Sequence, residues 1–316
     1  MLSKPDRHLF CLEWDVMSVI KAHSPSFYPR MRHEKRWQRH KWIDSFIKFN
    51  ERDEIRRGEG SVKFGCCAAI EYSEHVRQAG FDFMECTVVS LVPEKGKYEF
   101  AEIFRKYKAS PLPVEACNVL LPGDMRIVGE QINEDRIKSY LECALNRVHQ
   151  IGAQVVVFGS GKARSVPTGF SREKGEEQIL QFLETAANYA QPLGITIVIE
   201  PLNKKESNLI NTVEEAQMYA EKVNRPSIQV LADFYHMMEE NEPLNHLITA
   251  KKYLHHIHVA DTGRTAPGQG SYPYADFIRT LKAANYNERV SIECGWGHFE
   301  DEIVNAREFL RRQFGE

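Results

Sequence analysis

Between residues 61 and 316 the chain alternates eight times between a short run of β-branched, aromatic and small apolar residues and a longer stretch with helical patterning. The runs fall at 62–66, 81–86, 114–120, 154–158, 195–200, 228–233, 254–259 and 290–294. Strands joined through helices run parallel, and a parallel sheet must be covered on both faces, so few architectures accept such a chain. The helical signals are clearest after the fourth and fifth runs. Residues 177–193 carry Ile179, Leu180, Leu183, Ala186, Ala187 and Ala190 at helical spacing and stop at Leu193-Gly194, while Thr212 with Glu215 three positions on makes a capping box. Eight βα units in the 256 residues of 61–316 match a (β/α)8 TIM barrel, which takes about 250. A doubly wound open sheet is the competing α/β fold, but no GxGxxG follows the first run.

Residues 1–60 stand outside this repeat and read as a basic N-terminal extension, with 13 Lys+Arg against 9 Asp+Glu. Within it, 31–57 place Trp42, Ile43, Phe46, Ile47 and Phe49 among basic residues, the pattern of an amphipathic helix that packs on the barrel or joins two subunits into a homo-oligomer. The remaining 28 Lys+Arg against 35 Asp+Glu leave 61–316 at −7, so this catalytic domain has no overall attraction for a phosphate backbone and no nucleic-acid partner is expected. No run approaches the roughly 18 apolar residues of a membrane helix, and the first residues lack the apolar core of a signal peptide. Seven cysteines, at 11, 66, 67, 86, 117, 143 and 294, are odd in number and without CxxC spacing. They read as buried thiols in a reducing compartment, with the cytoplasm as the expected location.

Ionisable residues recur at the ends of the last four strand runs, where TIM-barrel enzymes build their sites. Glu200 ends ITIVIE, Asp233 ends IQVLAD, His258 lies in HHIHVAD and Glu293 in VSIEC. Each follows an apolar run expected to be buried, where an ionised group is costly unless it is paired or coordinated. Four such residues in successive strands point to one shared divalent cation. Three carboxylates and an imidazole without a thiolate suit Mn²⁺, Mg²⁺ or Co²⁺, with Zn²⁺ also accommodated. Alternation along a strand puts His256 on the same face as His258 and His255 on the opposite one, toward the helices.

These residues resemble those of the xylose-isomerase-like TIM barrels known as sugar phosphate isomerases and epimerases, and within them the ketose 3-epimerases acting on tagatose and psicose. The resemblance spans nearly all of 61–316. It implies a metal held by Glu200, Asp233, His258 and Glu293, and substrate contacts by three further residues. Glu206 lies six positions after the first ligand in EPLNKKE, His236 three after the aspartate in DFYH, and Arg264 six after the histidine in HVADTGR. Inverting a stereocentre next to a ketone requires removal of an acidic C–H proton, stabilisation of an enediolate and return of a proton to the other face. Glu200 and Glu293 are placed to act as the acid/base pair, the cation to neutralise the developing oxyanion, and Trp296 to stack on a sugar face.

Two Gly- and Pro-containing segments, 159–171 and 262–274, follow strands on the active face and read as lids; Lys162 and Arg164 in the first are candidates for an anionic substrate group. Three rival functions are weighed. An endonuclease IV-like site requires extra metal histidines, where this chain has MECTVV, ACNVL and Asp261 followed by Thr-Gly. A lyase or dehydratase acting on a keto-sugar or inosose shares the same four residues and is the serious alternative, distinguished by a product that absorbs in the ultraviolet. A sugar-binding protein without catalysis would not need both glutamates.

Overall fold

The computed structural model describes residues 62–315. The basic segment 1–60 and the helix expected over 31–57 lie outside the described residues. Eight strands form one closed, all-parallel barrel in sequence order: β1 (Lys63–Cys67), β2 (Phe83–Thr87), β3 (Val114–Asn118), β4 (Val155–Phe158), β5 (Thr196–Ile199), β6 (Ile228–Asp233), β7 (Leu254–Val259) and β8 (Arg289–Ile292), with β8 paired to β1. All eight strand runs of the sequence are strands, displaced by one or two residues at some ends. β2 starts at Phe83 rather than 81 because Phe81 N still bonds back to Val76 O, and Asp82 uses its side chain on the backbone N–H of Phe64.

A helix follows each strand: α1 (Ser73–Gln78), α2 (Lys97–Ala109), α3 (Glu134–Ile151), α4 (Arg172–Ala190), α5 (Val213–Val223), α6 (Phe234–Glu239), α7 (Tyr274–Ala283) and α8 (Phe299–Phe314). The expected caps are present. Thr212 accepts from the backbone of Glu215 at the start of α5, and the stop after α4 ends at Gly194 in the left-handed region, φ 67°.

The core has two parts. The larger lies between strands and helices, and a smaller cluster of Phe83, Ala116, Val155, Val157, Val198 and Leu231 fills the barrel interior. Phe83 needs the bare backbone of Gly65 on the neighbouring strand, since a Cβ there would sit 2.2 Å from its ring. Side chains alternate along a strand, so the residue two positions beyond each interior residue shares its face one layer higher. That step leads from Phe83 to Glu85, from Ala116 to Asn118, from Val157 to Gly159, from Val198 to Glu200 and from Leu231 to Asp233. With His258 and Glu293 on β7 and after β8, these residues ring the C-terminal mouth. The fold thus delivers a polar ring on top of an apolar plug.

Candidate active site

Four of the residues expected to bind metal meet at this mouth. One donor atom from each of Glu200, Asp233, His258 and Glu293 lies within 4.8 Å of the others. His258 Nδ1 is the hub, 3.2 Å from Glu200 Oε1, 3.6 Å from Glu293 Oε2 and 4.0 Å from Asp233 Oδ2. Asp233 is also the N-cap of α6: its Oδ1 accepts from His236 N, which fixes the carboxylate and turns Oδ2 toward the histidine. Glu200 packs against the bare backbone of Gly159, where a Cβ would fall 2.1 Å from Oε2. The backbone is strained around the ring. Val119, Ser160, Ile210 and Arg264, none of them glycine, have positive φ of 50°, 40°, 59° and 61°.

The residues expected to contact substrate gather on one side. Arg264 donates to Glu293 Oε2 at 2.6 Å and to Glu206 Oε1 at 3.0 Å, so it joins the four-residue cluster to the loop after β5. Its guanidinium lies over the Tyr235 ring at 5.2 Å. His236 is buried, and its Nδ1 accepts from the backbone N–H of Asn203, which places the proton of the neutral ring on Nε2. That Nε2 has no hydrogen-bond partner among the described residues and stands 4.0 Å from Asp233 Oδ2, a donor directed at the site. Trp296 does not join this group. It packs edge-on against Phe299, with centroids 5.1 Å apart, and lines a neighbouring cavity of about 610 Å³ with Tyr72 and Cys67.

The crowding of charge shows in the acidities. Burial raises the Glu200 carboxyl, and the nearby charge of Glu293 raises it further. Glu293 moves the other way, to about 2: burial opposes its ionisation, but His258 and Arg264 outweigh it. Burial disfavours a charged His258, yet Glu85 and Glu293 hold its imidazole well above the usual range. Oxygen-rich donors clustered around an imidazole are the chemistry a hard divalent cation requires, and the four residues fit one.

Three residues that the sequence reading overlooks complete the ring. Glu85, fully buried on β2, accepts from Nε2 of both His256 and His258 at 2.8 Å. Asn118 on β3 donates to Glu293 Oε1 at 2.8 Å, and Asn203 anchors both His236 and Glu206. A glutamate inside the apolar run FDFMECTVV was the available signal for the first. His255, as expected, points away and pairs with Glu288.

Arg164 is a correction. Instead of reaching an anionic substrate from a lid, it is completely buried in the helical turn Gly161–Arg164, where it donates to the carbonyls of Phe158 and Ile210. A short-range helical bond pattern and a buried guanidinium fix this end of the segment, while Lys162 stays exposed. The segment after β7 is likewise tied down: buried Asp261 accepts from the backbone of Thr262, Gly268 and Tyr272. Among the described residues Cys66, Cys67, Cys86, Cys117 and Cys294 are free thiols, and no helix is long and apolar enough to cross a membrane.

Comparison with known proteins agrees with this geometry. Residues 73–313 match the family model described as the xylose isomerase-like TIM barrel. The ketose 3-epimerase of Arthrobacter globiformis is 32% identical over 71% of this chain and 77% of its own length. The 3-dehydro-D-guloside 4-epimerase of Escherichia coli strain K12 is 27% identical over 71% of this chain and 86% of its own length. A crystal structure of D-psicose 3-epimerase in the presence of D-fructose superposes with a TM-score of 0.70 at 21% identity, covering 81% of this chain and all of that one, a likeness of fold. With a barrel closed in this order and a family match across nearly all of it, the chain belongs to the xylose isomerase-like TIM barrel family, among its sugar isomerases and epimerases.

Proposed function

We propose that the protein is a divalent-metal-dependent epimerase that inverts a carbinol carbon next to the carbonyl of a ketose or a related keto-sugar. The observation that carries the reading is the convergence of Glu200, Asp233, His258 and Glu293 within 4.8 Å at the mouth, beside a second tier of Glu206, His236 and Arg264. Mn²⁺ is the ion of choice for three carboxylates and one imidazole, and when bound it supplies charge neutralisation to a carbonyl oxygen as electron density builds there. The chain's own residues do the rest. Glu200 and Glu293 come from different strands and exchange the proton at the reacting carbon, one as acid and one as base. His236 Nε2–H and the Arg264 guanidinium donate to substrate oxygens, and Glu206 accepts from a hydroxyl. Asn118 and Arg264, which between them hold both oxygens of Glu293, set the orientation of that carboxylate. The relatives with epimerase names favour simple epimerisation over elimination, and the reduced thiols fit a reducing compartment such as the cytoplasm.

The test is incubation of the purified protein and Mn²⁺ with a panel of ketoses, inososes and keto-glycosides, read by chromatography and ultraviolet absorbance together. The expected result is an epimer of at least one ketose or keto-glycoside without a new ultraviolet band. An absorbing enone would assign the site to a lyase, and no conversion of any panel member would contradict the reading.

A further inference from the structure

Glu85 lies on β2, outside the run of β5 to β8 that carries the proposed ligands, and nothing in the proposed chemistry requires it. It is nonetheless fully buried, and each of its oxygens meets an imidazole: Oε1 faces His258 Nε2 and Oε2 faces His256 Nε2, both at 2.8 Å. An ionised carboxylate can only accept, so both rings must donate Nε2–H. For His258 this leaves Nδ1 as the atom directed at Glu200, Asp233 and Glu293. His256 reaches none of those three carboxylates. Its Nε2 stands on Glu85 and, at 3.5 Å, on Ser291 Oγ, while its Nδ1 is buried without a partner among the described residues. The two rings pack edge to face, with centroids 5.1 Å apart, so each ring buttresses the other.

We infer that Glu85 and His256 are positioning residues of the metal centre: His256 holds the Glu85 carboxylate, and Glu85 fixes the tautomer and rotation of His258 so that Nδ1 is presented to the cation. The inference rests on the proposed metal site and goes one layer beneath it. A carboxylate behind a metal-binding histidine orients the ring and raises its basicity, and removing such a partner weakens metal binding by about 10–100-fold. A different use of the same residues, a second cation held by Glu85, His256 and His258, is the alternative that the number of ions bound in the experiment below decides.

The experiment is Mn²⁺ titration of the metal-free full-length protein by calorimetry, with melting of each variant in its metal-free form as a control for folding. Wild type is expected to bind one ion. Glu85→Gln keeps the volume but sets an amide N–H against one donating imidazole, and its Mn²⁺ affinity should fall by about 10–100-fold. A second pair of variants leaves the carboxylate in place and stands in if Glu85→Gln is too unstable to titrate. His256→Leu removes the supporting donor and should weaken binding by about tenfold, while His256→Gln, which keeps an N–H for Glu85, should recover most of that loss. A wild type that binds no ion overturns the proposed metal site itself. A wild type that binds one, with affinities unchanged within about threefold in Glu85→Gln and His256→Leu, overturns the positioning role alone. Binding of two ions would overturn it as well, by making Glu85 a ligand.

Discussion

Whether Glu200 reaches the other ligands depends on a missing side chain at position 159. A Cβ there would sit 2.1 Å from Glu200 Oε2, so Gly159→Ala must push the carboxylate aside. Displacements of about 1 Å in a catalytic constellation lower rates by about 100-fold, and we expect a loss of that size in kcat with the circular dichroism spectrum unchanged. Wild-type turnover in that variant would mean that Glu200 does not work from this position. Glu293→Gln keeps an oxygen toward the site but removes the titrating group, so substrate should still bind while kcat drops by about two orders of magnitude or more. Near-normal turnover would assign the proton transfer elsewhere. At this scale the sequence was legible where a charged residue ends a clean apolar run, as with Glu200 and Asp233. Glu85 escaped because it sits within its run, before Cys86 and Thr87, where alternation looks like an ordinary strand. Asn118 and Asn203 escaped because an asparagine at a strand end or in a loop has a ready explanation as turn chemistry, and only the fold shows its partners.

Strands and helices carry the stability of the barrel on the end opposite the site. Glu115 on β3 accepts from Lys63 Nζ at 3.0 Å and from Arg289 Nε at 2.6 Å, linking the starts of β1, β3 and β8. Burial works against its ionisation, but Arg289 and Lys63 outweigh it and hold its pKa below the usual carboxylate range. A depressed folded-state value contributes stability that is fully present above the unfolded value, about 4.3, and is lost as pH falls through the folded one. Glu115→Gln should therefore melt earlier at pH 7, by about 1–3 kcal/mol of unfolding free energy. The gap to wild type should close as pH falls below the unfolded value and through the lower folded one. A gap independent of pH would show that the ion pairs contribute only packing. The element pattern was nearly all readable from periodicity and caps, because buried parallel strands and amphipathic helices have distinct signals. The anchoring of the segments after β4 and β7 was not: both read as lids from their Gly and Pro content, and buried Arg164 and Asp261 fasten them through backbone groups that no local pattern displays.

Residues 62–315 close a complete barrel, since β1 pairs with β8 and every ring residue lies within them. A protein beginning at Ser61 should accordingly fold and bind its cation, with any loss appearing as weaker self-association or lower solubility. Folded but inactive, metal-free behaviour of that protein would mean that the first 60 residues take part in the site. For the whole molecule, the proposed function requires that one cation, enclosed by Glu200, Asp233, His258 and Glu293, be needed for epimerisation and stabilise the fold that holds it. Its most direct measurement is to strip metal with a chelator, verify removal by elemental analysis, and follow turnover and Tm as Mn²⁺ is returned. A ligand at a hundredfold excess over its Kd stabilises the folded state by about 2.7 kcal/mol, which for a barrel of this size raises Tm by roughly 5–10 °C. Turnover is expected to be lost on stripping and to return at one equivalent of ion, with that rise in Tm once the free ion exceeds its Kd a hundredfold. Full turnover by verified metal-free protein would contradict it.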